Sequence, residues 1–473
     1  MELLKLLDGG SLKKLTQFLN HVYDTGEIPE EWLNSVFVTL PKKPNARRCS
    51  EHRTVSLMSH GLKVLLRVLH SRLWRKVESE IGDSQFGFRS GFGTREALFS
   101  LQVLVQKCLD QQCDVFACFI DFEKAFDTVK HDTLVQILER TGLDYNDIRL
   151  IKNLYWNQTA QVRVDGTLSD RVSIQKGVRQ GCTLSPLLFN LYSEHVFKAA
   201  LDDCRTGIHV NGIPISNLRY ADDTVLLAHT VEELQAILDR VVQACERYGL
   251  RLNVGKTKAM SVSKTGRKPC ALVVGAQHIE QVARFKYLGQ WLTEDWALRD
   301  ELRTRIEVAR GAFNNMKRVL CSRDLSFALR WRMVQCYIFS IVLYGVESWT
   351  LKAADMNRLE AFEMWLIRRM LKIPWTARLR NDFILQSNGL TRELLHTVKI
   401  RKVAYLGHIM RNPKYQLLQS IMMGKISGRR GVGRKRASWL LNIRQWTGVP
   451  RAADLFQLAR DRERFGEVIA NLR

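Results

Sequence analysis

The run Val115-Phe116-Ala117-Cys118-Phe119-Ile120 is six apolar residues without a polar break, closed by Asp114 on one side and Asp121 on the other. An unbroken apolar run of this length between turn-forming acids reads as a strand buried in the middle of a sheet. A chain that contains it must build a core around it, and the first two-thirds of the sequence accordingly mixes strand and helix patterns. Two further apolar arms, Asn217-Leu218-Arg219-Tyr220 and Thr224-Val225-Leu226-Leu227, flank Ala221-Asp222-Asp223 and predict a hairpin with an acidic turn. Between 232 and 248, Leu234, Ile237, Leu238, Val241, Cys245 and Tyr248 recur at helical spacing, and Gly249 stands where a helix end favours a left-handed residue.

Asp121 closes one strand, and Asp222 with Asp223 sits between two others. The three carboxylates meet if those strands are neighbours. Close aspartates that stay ionised need a counter-charge. A pair of Mg²⁺ ions supplies it, because hard cations take oxygen ligands and two metals about 3.5–4 Å apart stabilise both oxygens of an in-line phosphoryl displacement. A solvated turn, the common fate of Asp-Asp, stays open on residue type alone. Charge bears on the choice. Lys plus Arg is 72 against 48 Asp plus Glu, a formal net charge of +24, so an acidic island is unexpected unless it binds something positive. The same excess points to a polyanionic partner, and its spread along the whole chain favours nucleic acid over a membrane surface. The residues by themselves support metal-dependent phosphoryl transfer on nucleic acid.

Other classes fall away. The ten cysteines show no two-residue spacing and no histidines to complete a ligand set, so they read as small core residues in a reducing compartment. Met1–Asp8 carries acids within its apolar run and reads as an amphipathic helix rather than a secretion signal. The longest apolar stretch, Met333–Val346, has 14 residues, too few to cross a bilayer. An intracellular protein is expected, with nucleus and cytoplasm both open. From about 296 the pattern is almost wholly helical, over 298–320, 327–343, 355–372 and 391–411. The segment Gly424–Arg436 holds four glycines, six basic residues and no acid, and reads as a basic loop: an RNA clamp, a nuclear-localisation signal or a solvated linker.

Tyr220-Ala221-Asp222-Asp223, the run Phe119–Asp127 and the run Gly177–Asn190 together resemble the core blocks of reverse transcriptases, specifically those of non-LTR (LINE-type) retrotransposons. The resemblance extends upstream through Leu40–Lys43, His52–Leu57 and Gln85–Arg89. Downstream it takes in Gly249–Asn253, Lys256–Lys258, Phe285–Gly289 and, more loosely, the basic helical stretch around Arg368–Lys372. It implies that Asp121, Asp222 and Asp223 are catalytic, holding two Mg²⁺ ions (Mn²⁺ substituting), with the Phe122 carbonyl as a further ligand. It places Phe126 under the incoming sugar, where a bulky ring excludes a 2′-hydroxyl and selects deoxynucleotides. Gln180 and Gly181 fall beside the nascent base pair, Lys43 and Arg53 on the triphosphate, and Lys256 near the leaving pyrophosphate as a general acid. Lys258 is an alternative to Lys256, since two residues along a strand it shares the same face. Phe285–Gly289 matches a hairpin that supports the primer terminus.

The implied fold is α+β, a right-hand polymerase followed by a helical basic extension. Fingers with an N-terminal extension are expected over 1–113 and a palm over 114–295 with a fingers return at about 141–175. That palm is an antiparallel sheet with helices on one face. A helical thumb over 296–395 and the C-terminal extension over 396–473 complete it. Trp349, Trp365, Trp375, Trp439 and Trp446 are expected mainly in helical core, although aromatics among arginines also suit single-stranded template. The implied partners are an RNA template, a DNA primer or target and deoxynucleoside triphosphates, with no membrane; oligomeric state is not legible. The chain departs from the family at His52-Arg53-Thr54-Val55-Ser56, where Tyr-Arg-Pro-Ile-Ser is usual. Only some 40 residues precede the fingers block, and the tail shows no Pro-Asp nuclease signature, Cys/His knuckle or RNase H carboxylate set. Neither target nicking nor template degradation is expected. A catalytically inactive, retrotransposon-derived nucleic-acid-binding protein is the main alternative; an RNA-templated RNA polymerase and an intron maturase are others.

Overall fold

The computed structural model describes residues 5–429 and 437–472. Its centre is a six-stranded sheet in the spatial order Leu272–Val274, Gln277–Gln281, Lys258–Val262, Val115–Ile120, Asp223–Ala228, Asn217–Tyr220. All neighbours pair antiparallel except Lys258–Val262 with Gln277–Gln281, which run parallel. The Val115–Ile120 strand lies between two partners, and every residue in it is buried.

The sheet is covered on both faces, which corrects the expectation of helices on one face only. Phe116, Cys118 and Ile120 join a core with the helices Ser185–Leu201 and Val231–Arg247. Val115, Ala117 and Phe119 join a second core with the helix Thr94–Asp110 and with residues from 403 onward. Both faces therefore need apolar residues, and the run carries no alternation for that reason. The Val231–Arg247 helix starts on a cap in which Thr230 Oγ1 accepts from the Glu233 N–H at 3.1 Å, and Gly249 follows its end at φ +81°.

A second sheet lies in the region expected as fingers. Asn34–Pro41 pairs antiparallel with His52–Leu57 and parallel with Thr159–Val164, so the return segment completes a sheet begun near the N-terminus. Thr54, where the family's proline is absent, sits in full register opposite Thr39 and keeps the N–H that proline lacks. Residues 1–4, and with them half of the Met1–Asp8 helix expected from the sequence, lie outside the described residues; Asp8 caps a helix over Gly9–Thr25.

The helical C-terminal part has its own core from Leu302 to Val398, built on Arg299–Asn315, Phe327–Val342 and Ala353–Met370. The helix Leu394–Arg411 runs without a break across the expected 395/396 boundary. Its first turns (Leu394, Leu395, Val398) belong to the helical core, and Val403, Tyr405 and Leu406 belong to the core under the central sheet. The last part of the chain thus folds back onto the central sheet and the Thr94–Asp110 helix beneath it, as Trp439 on Phe99 also shows (ring centroids 4.8 Å apart). Lys402 is fully buried here, donating to the Trp349 carbonyl and, at 3.3 Å, to Asn442 Oδ1. Burial pushes its ammonium well below the usual lysine range.

All ten cysteines are free. Cys108, Cys118, Cys182, Cys245 and Cys270 are the core residues expected, but Cys49 and Cys336 are exposed. Trp349 and Trp439 are buried and Trp365 and Trp446 half-buried, whereas Trp375 is 88% exposed, against expectation. Residues 430–436 of the basic segment lie outside the described residues.

One buried acid gives a stability prediction. Glu363 accepts hydrogen bonds from the Glu393 and Leu394 N–H groups at 2.7 and 3.1 Å, yet burial outweighs them and its carboxyl is pushed up to about 7 from 4.5. Below about 4.5 both folded and unfolded chains are protonated and the group is neutral in effect. As pH rises from 4.5 to 7 the unfolded chain ionises first, so stability falls, by about 3 kcal/mol once pH exceeds 7. Glu363→Gln is expected to erase that slope. Urea midpoints for both proteins between pH 4.5 and 8 check it: the variant should gain on wild type as pH rises, and parallel curves refute the assignment.

Candidate active site

Asp121 follows directly on the buried central strand. Its N–H donates to Thr257 Oγ1 at 3.3 Å and its carbonyl accepts from the Asn253 N–H at 2.8 Å, so backbone contacts on both sides fix where the side chain starts. Oδ1 is shielded from solvent, accepts no hydrogen bond, and faces Lys256 Nζ at 3.6 Å. Phe122 is buried, pairing in a single antiparallel bridge with Leu252.

The neighbouring strand begins at Asp223, paired with Tyr220, and leaves Ala221 and Asp222 as a two-residue turn. Ala221 is left-handed at φ +57°, a conformation that costs a non-glycine residue about 1 kcal/mol. Gln85 holds it there. The Gln85 amide oxygen accepts from the Ala221 N–H and from the Gly87 N–H, both at 2.9 Å, and the whole side chain is buried. Gly87 lies so close that a Cβ would stand 2.4 Å from the Ala221 nitrogen. The Phe86 N–H donates to the Arg219 carbonyl at 2.8 Å and the Arg219 N–H to the Ser84 carbonyl at 2.7 Å, and Arg219 is locked to Glu194 at 2.8 Å with both side chains buried. The acidic turn is therefore clamped from below by the Gln85–Arg89 block. The sequence flagged that block without giving its amide a task; a lone glutamine before an apolar-glycine pair was the available signal.

Asp121 acts on both Asp222 and Asp223, and Asp222 acts on Asp223. Asp223 is pushed up to about 6, first by burial and then by Asp222 and Asp121. Asp222 is raised by burial and by Asp121, against pulls from its own backbone N–H and from Arg53. Both remain open to solvent on one side. Among the described residues no three His, Cys, Asp or Glu side chains already converge closely enough to hold an ion as they stand.

Around them lie the other expected residues. Phe126 is half-buried on the short helix Ala125–Thr128, its ring stacked on Phe189 with centroids 4.5 Å apart and edge-on to Phe88 at 6.3 Å. Gln180 Nε2 donates to Asp127 Oδ1 at 3.2 Å, and its carbonyl accepts from the Ser56 N–H at 2.9 Å. Gly181 turns at φ +98°, where a Cβ would press on the Ser56 carbonyl at 3.3 Å. Phe37, Thr54, Asp127, Lys176 and Gln180 line one cleft of about 210 Å³. Asp127, which sequence reading quoted without a role, is raised by burial there.

The basic residues divide. Arg53 is exposed, has no ion pair among the described residues, and is close enough for its charge to act on Asp222. Lys43 instead pairs with Glu51 at 2.7 Å, in the loop beyond the Asn34–Pro41 strand. Lys256 lies in a turn that precedes the strand rather than on it, and Lys258, the alternative, is drawn to Glu280 at 2.9 Å. The shared-face expectation fails for that reason. The Phe285 region forms a hairpin, Arg284–Tyr287 with Gln290–Thr293, stacked on the central strand through Phe285 and Phe119 at 4.4 Å. Tyr344 Oη and Arg305 Nη2 donate to the carbonyls of its turn residues Leu288 and Gly289, each at 2.6 Å, tying it to the helical domain.

Residues 40–292 match the family described as reverse transcriptase (RNA-dependent DNA polymerase). The Pol polyprotein from retrotransposable element R2 of Nasonia vitripennis is 28% identical over 285 residues, 58% of this chain and 27% of that protein. The RNA-directed DNA polymerase from mobile element jockey of Drosophila funebris is 23% identical over 389 residues, 80% of this chain and 42% of that protein. The chain thus spans less than half the length of these two relatives. Telomerase from Candida tropicalis, solved with a fragment of telomeric RNA, aligns at a TM-score of 0.44 and 12% identity over 98% of this chain and 68% of that one. No helix among the described residues is long and apolar enough to cross a membrane. With more than half of its length matched, and with the acidic turn, the Asp121 strand and the Gly177–Asn190 run all inside the match, the chain belongs to the reverse transcriptase (RNA-dependent DNA polymerase) family.

Proposed function

We propose that this chain extends a DNA primer 3′-end with deoxynucleotides on an RNA template. The observation that carries the reading is the meeting of Asp121, Asp222 and Asp223 at the ends of two adjacent buried strands, where the Asp121 charge acts on both of the others. Their fit to divalent cations rests on an all-oxygen donor set, on mutual repulsion that a cation relieves, and on the shielded, unbonded Asp121 Oδ1. Asp121 and Asp222 are the direct ligands in this reading, with Asp223 and the Phe122 carbonyl in support. Two Mg²⁺ ions, or Mn²⁺ in their place, would stabilise the attacking and leaving oxygens of the displacement.

The chain's own groups do the rest. Phe126, held by Phe189, presents a ring that leaves no room for a 2′-hydroxyl. Arg53 supplies a guanidinium for the triphosphate, and Lys43 joins it by exchanging Glu51 for phosphate. Gln180 and Gly181 bring backbone and an amide up to the nascent pair. Lys256 Nζ stands beside Asp121 and delivers a proton to the departing pyrophosphate. Duplex held by the basic helical domain makes affinity fall steeply with salt.

The test is single-nucleotide extension of a DNA primer on an RNA template with Mg²⁺, repeated with each of the four bases at the templating position. Incorporation that follows the complement each time is expected. Binding without any incorporation, in Mg²⁺ and in Mn²⁺, overturns the reading in favour of an inactive nucleic-acid-binding protein.

A further inference from the structure

Trp375 is the most exposed large apolar side chain recorded in the structure, at 88%, and neither the active site nor any core accounts for it. It opens the short turn Trp375–Ala377 in the connection between the helices Ala353–Met370 and Asn381–Ser387. Leu379 and Phe383 nearby in the chain are also exposed, at 39% and 56%. The connection is strongly basic. Lys372, Arg378 and Arg380 are exposed, and none of them has an ion pair among the described residues, while Asp382, the first acid after them, is paired with Arg392 at 3.3 Å.

The connection is also held in place. Arg368 Nη2 donates to the Leu379 carbonyl at 2.7 Å and to Asn381 Oδ1 at 2.8 Å, and the Ile373 N–H donates to the Arg368 carbonyl at 2.9 Å. Lys372 and Arg378, on either side of the tryptophan, are left-handed at φ +58° and +49°. Two non-glycine residues in that region keep a strained backbone, and strain of this kind persists where the surrounding contacts over-determine it. The tryptophan is thus displayed on a braced loop.

We infer that this loop is a stacking platform for single-stranded nucleic acid, separate from the carboxylate centre. An indole face takes any base, and three unpaired cations beside it match a phosphate backbone. A protein partner would favour a broader apolar patch with fewer unpaired charges at its centre. The inference deepens the reading of the chain as a nucleic-acid polymerase, but binding at this loop is separable from extension.

The experiment uses the full chain and a single-stranded RNA carrying 5-iodouridine, which crosslinks to a stacked aromatic ring under long-wavelength light, followed by peptide mapping. Anisotropy with an ordinary and an abasic strand of equal length runs alongside for wild type, Trp375→Leu and Trp375→Tyr. The crosslink is expected on the peptide that contains Trp375, lost in the leucine variant and kept in the tyrosine variant. Affinity for the ordinary strand should fall at least about fivefold in the leucine variant and recover with tyrosine, with the abasic strand unaffected. Crosslinks confined to other peptides, with leucine and wild type binding both strands alike, overturn the inference. A chain that crosslinks at Trp375 yet extends no primer would leave this site standing and refute the polymerase reading alone.

Discussion

Asp222→Asn is expected to lower the rate of nucleotide incorporation by at least about 1,000-fold while leaving template–primer affinity within about twofold of wild type. The size follows from what is removed. The substitution keeps shape and takes away a full negative charge from a group whose proposed task is to hold a cation at the reacting phosphate, where electrostatic stabilisation is commonly the largest contribution to the rate. Binding survives because affinity comes mainly from cations spread across the chain rather than from the acidic turn. The turn itself should survive too, since Gln85 grips it through the Ala221 N–H and not through the carboxylate. In the absence of divalent cation the variant should be slightly more stable than wild type, because the raised proton affinities of Asp222 and Asp223 mark first the burial of their charge and then the repulsion between them and Asp121, both of which the folded chain must bear. Single-turnover incorporation, primer–template anisotropy and thermal melting with and without Mg²⁺ measure the three quantities. Loss of activity together with collapse of folding or binding would mean that Asp222 is structural.

Phe126→Ala is expected to raise the use of ribonucleotides relative to deoxynucleotides by about 30-fold or more. In the proposed placement under the incoming sugar, a ring stacked on Phe189 and braced by Phe88 cannot yield to an added hydroxyl, and overpacking of about one heavy atom costs about 1–3 kcal/mol. Removing the ring opens that space and removes a half-buried aromatic contact, so a modest loss of stability accompanies the change. The ratio of kcat/KM for a ribonucleoside triphosphate to that for its deoxy counterpart reads the effect directly. An unchanged ratio with lower stability would make Phe126 ordinary packing, the other role open to a half-buried phenylalanine.

The central strand and the acidic turn were legible because their signals are local. Six apolar residues in a row can only be a buried strand or part of a helix, and the flanking aspartates with the nearby hairpin decide it. The helical spans beyond 296 were legible for the same reason, each being periodic within itself. What escaped depends on pairings across long stretches of chain. An apolar helix face says that something covers it but not what, so the coverage of the sheet's second face by Thr94–Asp110 and the end of the chain could not be read. The Gln85–Ala221 bond joins residues 136 positions apart. Lys43 carries nothing in its own neighbourhood of sequence to announce that Glu51 holds it, and Trp375 has the same composition around it as a core tryptophan on a basic helix. Lys402 is the sharpest case: a lysine on an amphipathic helix is normally solvated, and only the fold-back of Trp439 and Asn442 buries it.

The most direct measurement is the count of bound metal ions. Mn²⁺ is titrated by electron paramagnetic resonance into the chain assembled with an RNA template, a dideoxy-terminated DNA primer and the next deoxynucleotide. Two ions per chain, magnetically coupled, are expected for wild type, with at least one ion and the coupling lost when Asp121→Asn and Asp222→Asn are combined. Equal Mn²⁺ occupancy in wild type and the double variant, with nucleic acid bound to both, would contradict a metal centre built on these carboxylates.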